Sequence, residues 1–524
     1  MIAAADTRSQ DGRWSLALLI ITVSAVVRLV LGAVIPVFPD EPYYWDWSRH
    51  IAAGYFDHPP MLALLIRLGA ILLRPIGASA TPLAVRIGAI GAGWVATLAT
   101  VAISRRLGGA GAALRAAVII SVLPLAAAGL ILATPDAPVL AATALGLYGV
   151  VRALEAPPRS ANSLLWWSAA GLALGVAFSS KYTSIFLPVA VVLATAVRAD
   201  LRPRWREAGP YVACILAVLV FAPVLAWNER HAWISFTFQL HHGLAAPQGS
   251  ALRAAWKHEG DFFGGQAALA SPILFVLLGM ATGRGLTRRE PAVRFVLATV
   301  AALSFGFFIY SALRQRVEPN WPAPAYIPAV VLAATTQWTE RARRWLWAGI
   351  GLAAAMSTLI YVQAIVPVLP LAPEKDPIAR AFGWHGLTVR AESIAAGVSA
   401  RTGAATWLGA DRYQEASELA FHGTPHPVTF SLNVSGRRNQ YDLWPRFADQ
   451  ARPGDNLVLV LDESEGTPGP IRALLPYFAS ARRSDLLMLA RRGREIGRRR
   501  LWVLVRWSGA WPPPAFFDLL GASF

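Results

Sequence analysis

Residues 14–34 read WSLALLIITVSAVVRLVLGAV, an apolar run as long as the ~20-residue helix that crosses the hydrocarbon core of a membrane. The run is too long for the core of a signal peptide, and no small-residue cleavage site separates it from the polar sequence that follows. It therefore predicts an uncleaved first membrane span.

Similar apolar runs recur through the first two thirds of the chain. They lie at 14–35, 82–103, 113–132, 137–152, 164–180, 182–197, 210–227, 268–282, 292–312, 323–338 and 345–366. Together they predict a polytopic α-helical membrane protein with about 11 spans. The composition agrees, because 55% of the 524 residues are hydrophobic and only 15% are charged. The segment 59–75 contains two arginines, and we expect it to be an interfacial helix.

The net charge of +17 comes mainly from arginine, and the arginines cluster between alternate pairs of spans. The positive-inside rule places these loops in the cytoplasm, which explains the charge better than nucleic-acid binding does. The complementary loops then face outward, and acidic, aromatic and histidine residues gather there. These outward loops are 36–81, 133–136, the residues around 181, 228–267 and 313–322.

The pattern changes after residue 366. Short apolar runs at 404–409, 427–432, 456–462 and 501–506 alternate with helix-like stretches at 414–421 and 471–478, which predicts a soluble α/β domain. An odd number of spans places this domain on the outer face. Its arginine-rich segment 482–500 has two interpretations, a basic surface near an anionic membrane or ligand, or a solvated helix face.

The first outward loop carries Asp40-Glu41-Pro42 and, further on, Asp57-His58. Carboxylates at the exit of a membrane helix, surrounded by aromatic residues, are poorly solvated and can be poised as bases. The competing interpretation is structural, because Asp40 ahead of Glu41-Pro42 also resembles a helix N-cap with proline in the first turn. The sequence favours neither interpretation by itself.

Further polar motifs fall in the other outward loops. Lys181 is either a snorkelling lysine or a functional cation, and Arg314 and Arg316 pair either with a phosphate-bearing ligand or with Glu318. In the C-terminal domain, the segments 411–414 and 437–441 are candidates for selecting an acceptor, although exposed turns often have such a composition. The polar motifs of these other outward loops are Thr134-Pro135-Asp136, Ser180-Lys181-Tyr182-Thr183 and Pro319-Asn320-Trp321-Pro322.

These motifs, in this order on one predicted face, resemble bacterial GT-C glycosyltransferases of the protein O-mannosyltransferase and lipid A aminoarabinose transferase superfamily. The resemblance covers roughly residues 14–340. It implies a GT-C transmembrane catalytic domain over 1–366 and a periplasmic α/β domain over 367–524. It also implies a bacterial inner-membrane enzyme that moves a sugar from a polyprenyl-phosphate donor to a lipid, glycan or protein acceptor at the outer face.

The resemblance implies roles for individual residues. Asp40 would take the proton of the acceptor, Glu41 would be its neighbour in the site, and His58 stands where relatives have a lysine that contacts the lipid phosphate. A single base opposite a phosphate leaving group implies in-line attack with inversion. We expect the donor phosphate to contact Lys181, Tyr182, Arg314, Arg316 and His58, and the substrate to contact Asp136, Glu318, Asn320 and Trp321.

A divalent metal ion would have Asp57 and His241 as its candidate ligands, and we expect no other cofactor. The alternative for His241 is an interfacial segment whose histidines lie at the level of the lipid headgroups. The alternative function is a transporter or lipid flippase. A transporter typically has ionisable groups near the membrane midplane and paired repeats, and the sequence shows neither.

Overall fold

The computed structural model describes residues 2–244, 251–372, 375–434, 437–463 and 466–511. The chain divides into two compact units, and a boundary lies between Val366 and Pro367. The first unit comprises Met1–Val34, Ala52–Gly54 and His58–Val366, and the second comprises Ile35–Ile51, Tyr55–Asp57 and Pro367–Phe524. The acidic part of the first outward loop therefore groups with the C-terminal residues, which the division predicted from the sequence did not anticipate.

The first unit is helical throughout. In chain order the helices up to residue 366 are α1 (Ile2–Val34), α2 (Asp40–Arg49), α3 (Met61–Leu73), α4 (Pro82–Val122), α5 (Pro124–Gly129), α6 (Asp136–Glu155), α7 (Ala161–Phe178), α8 (Phe186–Val197), α9 (Ala208–Arg230), α10 (Ile234–Leu244), α11 (Ala251–Ala270), α12 (Pro272–Gly285), α13 (Ala292–Ala312), α14 (Ala323–Thr335) and α15 (Glu340–Ile365). All of these except α2 belong to the first unit.

The polytopic helical class predicted from the sequence is confirmed. Among the described residues, 7 helices are long and apolar enough to cross a membrane, or up to 8 if α11 and α12, which meet at a bend of 99°, form one broken span. The predicted count of about 11 is not confirmed. The run at 82–103 and the first half of the run at 113–132 both lie in α4, whose backbone is non-helical at Gly108 and Gly109, and the second half of the latter run includes α5.

Helix α14 lies at the centre of the first unit. Its residues from Tyr326 to Ala334 are all buried, and it packs against α4, α6, α12 and α13. A helix that is apolar on every side is stable only when protein or lipid covers every side. The run at 323–338 therefore forms a short central helix that the surrounding helices enclose.

Close contact between α7 and α9 depends on glycine. A Cβ atom at Gly171 would lie 2.4 Å from the carbonyl oxygen of Ala213, and one at Gly175 would lie 2.5 Å from Cβ of Val220. Neither contact is possible for a real side chain. Small residues at such positions let helix backbones approach closely, which is a main source of packing energy inside a membrane.

We expect Gly171→Ala to destabilise the protein by about 1–3 kcal/mol relative to Gly279→Ala, because the new methyl group meets a backbone oxygen that cannot rotate away. Gly279 lies in α12 with open space around it, so both variants gain the same helix propensity and only the first gains a clash. Chemical unfolding of the purified variants in detergent measures the difference. Equal stability of the two variants would contradict this packing account.

The second unit contains a five-stranded sheet covered by helices. After residue 366 its elements are α16 (Trp384–Thr402), β1 (Thr406–Ala410), α17 (Tyr413–His422), β2 (Thr429–Ser431), α18 (Phe447–Gln450), β3 (Asn456–Asp462), α19 (Gly469–Leu474), β4 (Phe478–Arg491) and β5 (Arg494–Trp507). The strand order is β2-β1-β3-β5-β4. Strands β1, β2 and β3 are parallel, whereas β5 is antiparallel to both β3 and β4.

The predicted α/β architecture is confirmed for most of this unit, because the runs at 404–409, 427–432, 456–462 and 501–506 all contribute to strands. The helix-face interpretation of 482–500 is wrong, because these residues form most of the β4–β5 hairpin. In this hairpin the side chains of Leu489 and Leu501 are buried, whereas those of Arg482, Arg483 and Arg498 are exposed.

Candidate active site

Contacts at the start of α2 distinguish the catalytic interpretation of the Asp40-Glu41 pair from the structural one. The buried Glu41 carboxylate accepts the backbone N–H of Phe38 at 2.8 Å, so Glu41 fixes the entry of the chain into the helix. Asp40, the first residue of α2, is open to solvent and accepts a hydrogen bond from Gln414 Nε2 at 3.3 Å. The stabilising role at the helix terminus therefore falls to Glu41, and Asp40 is available for chemistry.

The surroundings of Asp40 increase the affinity of its carboxylate for a proton. The Asp40 side chain remains accessible to solvent, but the protein atoms crowded around it weaken its hydration and raise its pKa above the ordinary value. Gln414, Arg380 and Arg437 act in the opposite direction, because each of them stabilises the charged carboxylate. The balance gives a carboxylate that binds a proton more readily than an ordinary surface aspartate.

Asp57 lies in a closed network of the second unit. Its Oδ2 accepts the hydroxyl hydrogen of Tyr43 at 2.6 Å, and its Oδ1 accepts Arg437 Nη1 at 2.9 Å. Arg437 also donates to the hydroxyl of Tyr413 at 3.1 Å, and its guanidinium lies over the Tyr413 ring. The backbone N–H of Gln440 donates to the Tyr43 hydroxyl at 2.8 Å. The acidic loop is therefore held by residues that follow it by almost 400 positions.

The sheet explains why these distant residues meet. Gln414 and Tyr413 follow the carboxyl end of β1, and Arg437 follows the carboxyl end of β2. Because β1, β2 and β3 are parallel, their carboxyl ends share one edge of the sheet, which is where open α/β sheets usually bind ligands. The two C-terminal segments that the sequence marked, 411–414 and 437–441, thus both lie at this edge.

A buried acid lies behind the Asp40-Glu41 pair. Glu418 on α17 is 0% exposed, and its Oε2 lies 3.3 Å from Nε2 of His422. Burial raises the pKa of Glu418 well above its ordinary value, and repulsion from Glu41 and Asp40 raises it further. Burial lowers the pKa of His422 to about 4. Burial therefore disfavours the charged form of both side chains.

The first unit contains a separate polar cluster. Lys181 Nζ donates to Asp136 Oδ1 at 2.6 Å, and Asn320 Nδ2 donates to Asp136 Oδ2 at 2.5 Å. Lys181 is 8% exposed and Asp136 is 6% exposed. A lysine that merely snorkelled to the interface would not be buried against a carboxylate. Asp136, Lys181 and Asn320, which the sequence predicted as site residues from three different loops, are thus brought together.

Tyr182 lies beside this cluster in the chain but has other partners. Its hydroxyl is 2.9 Å from Ser235 Oγ and accepts Asn228 Nδ2 at 3.3 Å, while its ring stacks on Phe236. His58 Nδ1 is 3.5 Å from Gln239 Nε2. Phosphate binding by Tyr182 and His58 remains a prediction.

In the loop 313–322, charged side chains contact protein groups, as the structural alternative to phosphate binding predicts. Arg316 pairs with Glu318 at 3.4 Å, and both side chains are exposed. Arg314 donates to the hydroxyl of Tyr310 at 3.2 Å. Trp321 packs against Phe308 in an apolar cluster of the first unit. The proposed contacts of Arg314, Arg316, Glu318 and Trp321 with donor or substrate remain predictions.

The residues around Asp57 do not fit a metal site. Its two oxygens face a tyrosine hydroxyl and a guanidinium, and a guanidinium competes with a cation for the carboxylate. Within the described parts of the chain, no group of three or more His, Cys, Asp or Glu side chains is arranged to hold a metal ion. His241, the other candidate ligand, lies half-buried on α10 of the first unit. No step of the reaction is therefore assigned to a metal ion.

Comparisons with known proteins agree with this fold. A family model described as dolichyl-phosphate-mannose-protein mannosyltransferase matches residues 57–227. A lipid A galacturonosyltransferase, RgtD of Rhizobium johnstonii, is 24% identical over 300 residues, which are 56% of this chain and 59% of that protein. The chain thus matches less than two thirds of this relative's length.

Solved structures extend the likeness to almost the whole chain. ArnT from Cupriavidus metallidurans, bound to undecaprenyl phosphate or in the apo state, superimposes with a TM-score of 0.62 at 17% identity, covering 92% of this chain and 97% of ArnT. The chain has the ArnT fold. The GT-C resemblance predicted from the motifs of the outward loops is thereby confirmed.

The geometry also shows what the sequence analysis missed. The sequence marked Arg437 and Gln414 only as members of segments that are candidates for selecting an acceptor, and it did not indicate their contacts with Asp57 and Asp40. It did not single out Glu418 or Arg380 at all. The available signal was the alternation of strands and helices after residue 400, since a parallel sheet gathers the residues that follow each strand.

We expect Lys181→Met and Asp136→Asn each to destabilise the protein by about 3–5 kcal/mol, because each leaves one buried charge unpaired. The double variant should be destabilised by less than the sum of the two. Chemical unfolding in detergent measures all three variants, and Arg343→Met serves as the control. Its ion pair with Glu340 is exposed, so its loss should cost less than about 1 kcal/mol. Strictly additive losses would contradict a direct Lys181–Asp136 interaction.

Proposed function

We propose that the protein is a membrane glycosyltransferase that moves a sugar from a polyprenyl-phosphate-linked donor to a lipid, glycan or protein acceptor. The reaction takes place at the outer face of a bacterial inner membrane. The observation that carries this proposal is the placement of Asp40, an exposed carboxylate at the start of α2 that accepts a hydrogen bond from Gln414. The relative RgtD, named as a lipid A galacturonosyltransferase, and the ArnT fold support the same class of reaction.

The chemistry requires two kinds of groups. Displacement of phosphate from an anomeric carbon requires a base for the attacking hydroxyl and cations for the departing oxygen. Asp40 supplies the base. Lys181 is the best candidate for the second role, because it is a buried cation held in place by Asp136 in the part of the chain that the family model matches. A site with a single base implies direct displacement with inversion at the anomeric carbon.

Glu41 and Asp57 support this reaction indirectly. Glu41 fixes the backbone that carries Asp40, and Asp57 holds Arg437, one of the cations that keep Asp40 ionised. Both are positioning residues, because each acts through a neighbour. The resemblance implies that Glu41 is the neighbour of Asp40 in the site, and the proposed positioning role is consistent with that place.

We expect Asp40→Asn to reduce sugar transfer by at least about 10²-fold, because an amide cannot accept the proton of the acceptor. Envelope lipids and glycoproteins from cells that lack the gene, complemented with the wild type or a variant, are compared by mass spectrometry. Asp485→Asn is the matched control, since it removes only an ion pair near the protein surface. Near-normal product from Asp40→Asn at equal expression would remove Asp40 from its role.

We expect Gln414→Leu to move the acid limb of the kcat/KM profile to higher pH. Gln414 donates to the Asp40 carboxylate and lowers its pKa, so its loss raises that pKa and leaves less base ionised at a given pH. The profile is measured on the purified enzyme with the product identified by mass spectrometry. Gln450→Leu, at an exposed glutamine of α18, should leave the limb in place. An unshifted or lowered limb in Gln414→Leu would show that Asp40 is not the titrating base.

A further inference from the structure

The second unit contains a cavity of about 380 Å³ at the edge of the sheet where the parallel strands end. Its lining is rich in guanidinium groups and includes the aromatic residues Trp384 and Tyr413. The charged residues in the lining are Arg380, Arg412, Arg437, Arg499 and Glu415. Four guanidinium groups and one carboxylate therefore line the cavity.

Most of these arginines are anchored by acids. Arg499 bonds to Glu415 at 3.0 Å and to Asp462 at 2.6 Å, and Arg412 lies 3.3 Å from Asp462. Arg380 differs, because it is exposed and forms no ion pair with any acid of the described residues. An anchored guanidinium keeps donors available for a second anion, and Arg380 brings a charge that no protein acid neutralises directly.

The cavity adjoins the candidate base. Gln414, which donates to Asp40, is part of the lining, and so is Pro39, the residue before Asp40. Arg380 and Arg437 both lie close enough to Asp40 to stabilise its charge. A ligand in the cavity would therefore lie next to the carboxylate that is proposed to remove a proton.

We propose that this cavity binds a sugar that carries an anionic group, either a carboxylate or a phosphate, and holds that group against Arg380 beside Asp40. Guanidinium forks match the planar oxygens of a carboxylate and the oxygens of a phosphate. The rings of Trp384 and Tyr413 hold two of these guanidinium groups in place, because Arg499 lies over the first ring and Arg437 over the second. Binding itself needs no donor lipid, whereas the role of the bound sugar as a substrate rests on the proposed function.

Glu415 gives the site a pH dependence that can be measured. Burial raises the pKa of Glu415 to about 7, repulsion from Asp462 adds to this, and Arg499 and Arg412 act in the opposite direction. As the pH falls through about 7, Glu415 becomes neutral, and among the described lining residues no other carboxylate remains in the cavity. The affinity for an anionic sugar should therefore rise over that interval, and it should become nearly independent of pH in Glu415→Gln.

The test is isothermal titration calorimetry on the full chain in detergent, without donor lipid. D-galacturonate and inorganic phosphate are the two anionic probes, and D-galactose is the neutral control. We expect at least one anionic probe to bind, and Arg380→Ala to weaken that binding about tenfold or more, since bonds to charged groups are the strong ones. Arg390→Ala, which removes an arginine of α16 outside the cavity lining, should leave the affinity unchanged.

The binding results distinguish between the two kinds of anionic group and can overturn the proposal. Binding of galacturonate alone identifies a carboxylated sugar, binding of phosphate alone identifies a phosphorylated one, and binding of both supports the shared anion chemistry. Galactose binding as tight as galacturonate binding, an affinity that Arg380→Ala leaves unchanged, or no binding of either anion would overturn the proposal. The pH series uses galacturonate, because its carboxylate stays ionised throughout. An affinity that does not rise on acidification would overturn the role of Glu415.

The binding experiment is independent of the proposed transfer reaction. Loss of anion binding with transfer intact would remove the cavity from the account and leave Asp40 as the base. Transfer that survives Asp40→Asn, with anion binding intact, would remove the base and leave the cavity. Thermal unfolding of Arg380→Ala and Glu415→Gln checks that both variants are folded, so a loss of affinity can be assigned to the cavity.

Discussion

Hydrocarbon does not solvate ions, so a charged side chain in a membrane protein must find a partner or lie near a helix end. This constraint shapes the first unit. Lys181 and Asp136 neutralise each other at the start of α6, and Arg204 and Glu207 form a second buried pair close to the start of α9. Arg204 also donates to the carbonyl oxygens of Leu154 and Ala156 where α6 ends. Both ends of α6 are thus fixed by buried cations.

The second unit follows a different rule. Its parallel strands collect the residues that follow them at one edge of the sheet, and the acidic loop 35–57 contributes Asp40 and Asp57 to the same unit. Tyr441 donates to Asp46 at 2.8 Å, which also ties α2 to the C-terminal residues. The α/β unit therefore supplies the surroundings of a carboxylate that follows a membrane helix directly in the sequence.

Much of the fold was predictable because it depends on local patterns. Apolar runs of sufficient length predicted the helices of the first unit, and short apolar runs between helix-like stretches predicted most strands of the second. The number of spans was harder to predict, because Gly108 and Gly109 interrupt α4 with a kink and because α14 is too short to resemble the other helices. Hydropathy reports how apolar a segment is, and it does not report whether lipid or protein covers that segment.

The site was predictable one residue at a time but not as a set of contacts. Asp40, Asp136 and Lys181 stood out because ionisable residues are rare beside apolar runs. Arg437 and Gln414 did not, because arginine and glutamine are common in exposed turns and nothing local records a partner almost 400 positions away. The way in which Glu41 holds the chain at the entry of α2 also depends on a contact with the backbone of Phe38 that the sequence does not record.

We expect the proposed site residues to lie on the side of the membrane opposite the arginine-rich loops. Cys214 is the only cysteine, so Cys214→Ala provides a background for single-cysteine labelling with a membrane-impermeant maleimide. The probes are placed at exposed positions, with Glu318→Cys and Arg446→Cys on the predicted outer side and Arg288→Cys and Arg343→Cys on the other. In intact spheroplasts the account predicts labelling of the first two alone, and of the other two only after the membrane is disrupted. Labelling of Glu318→Cys and Arg343→Cys from the same side would contradict it.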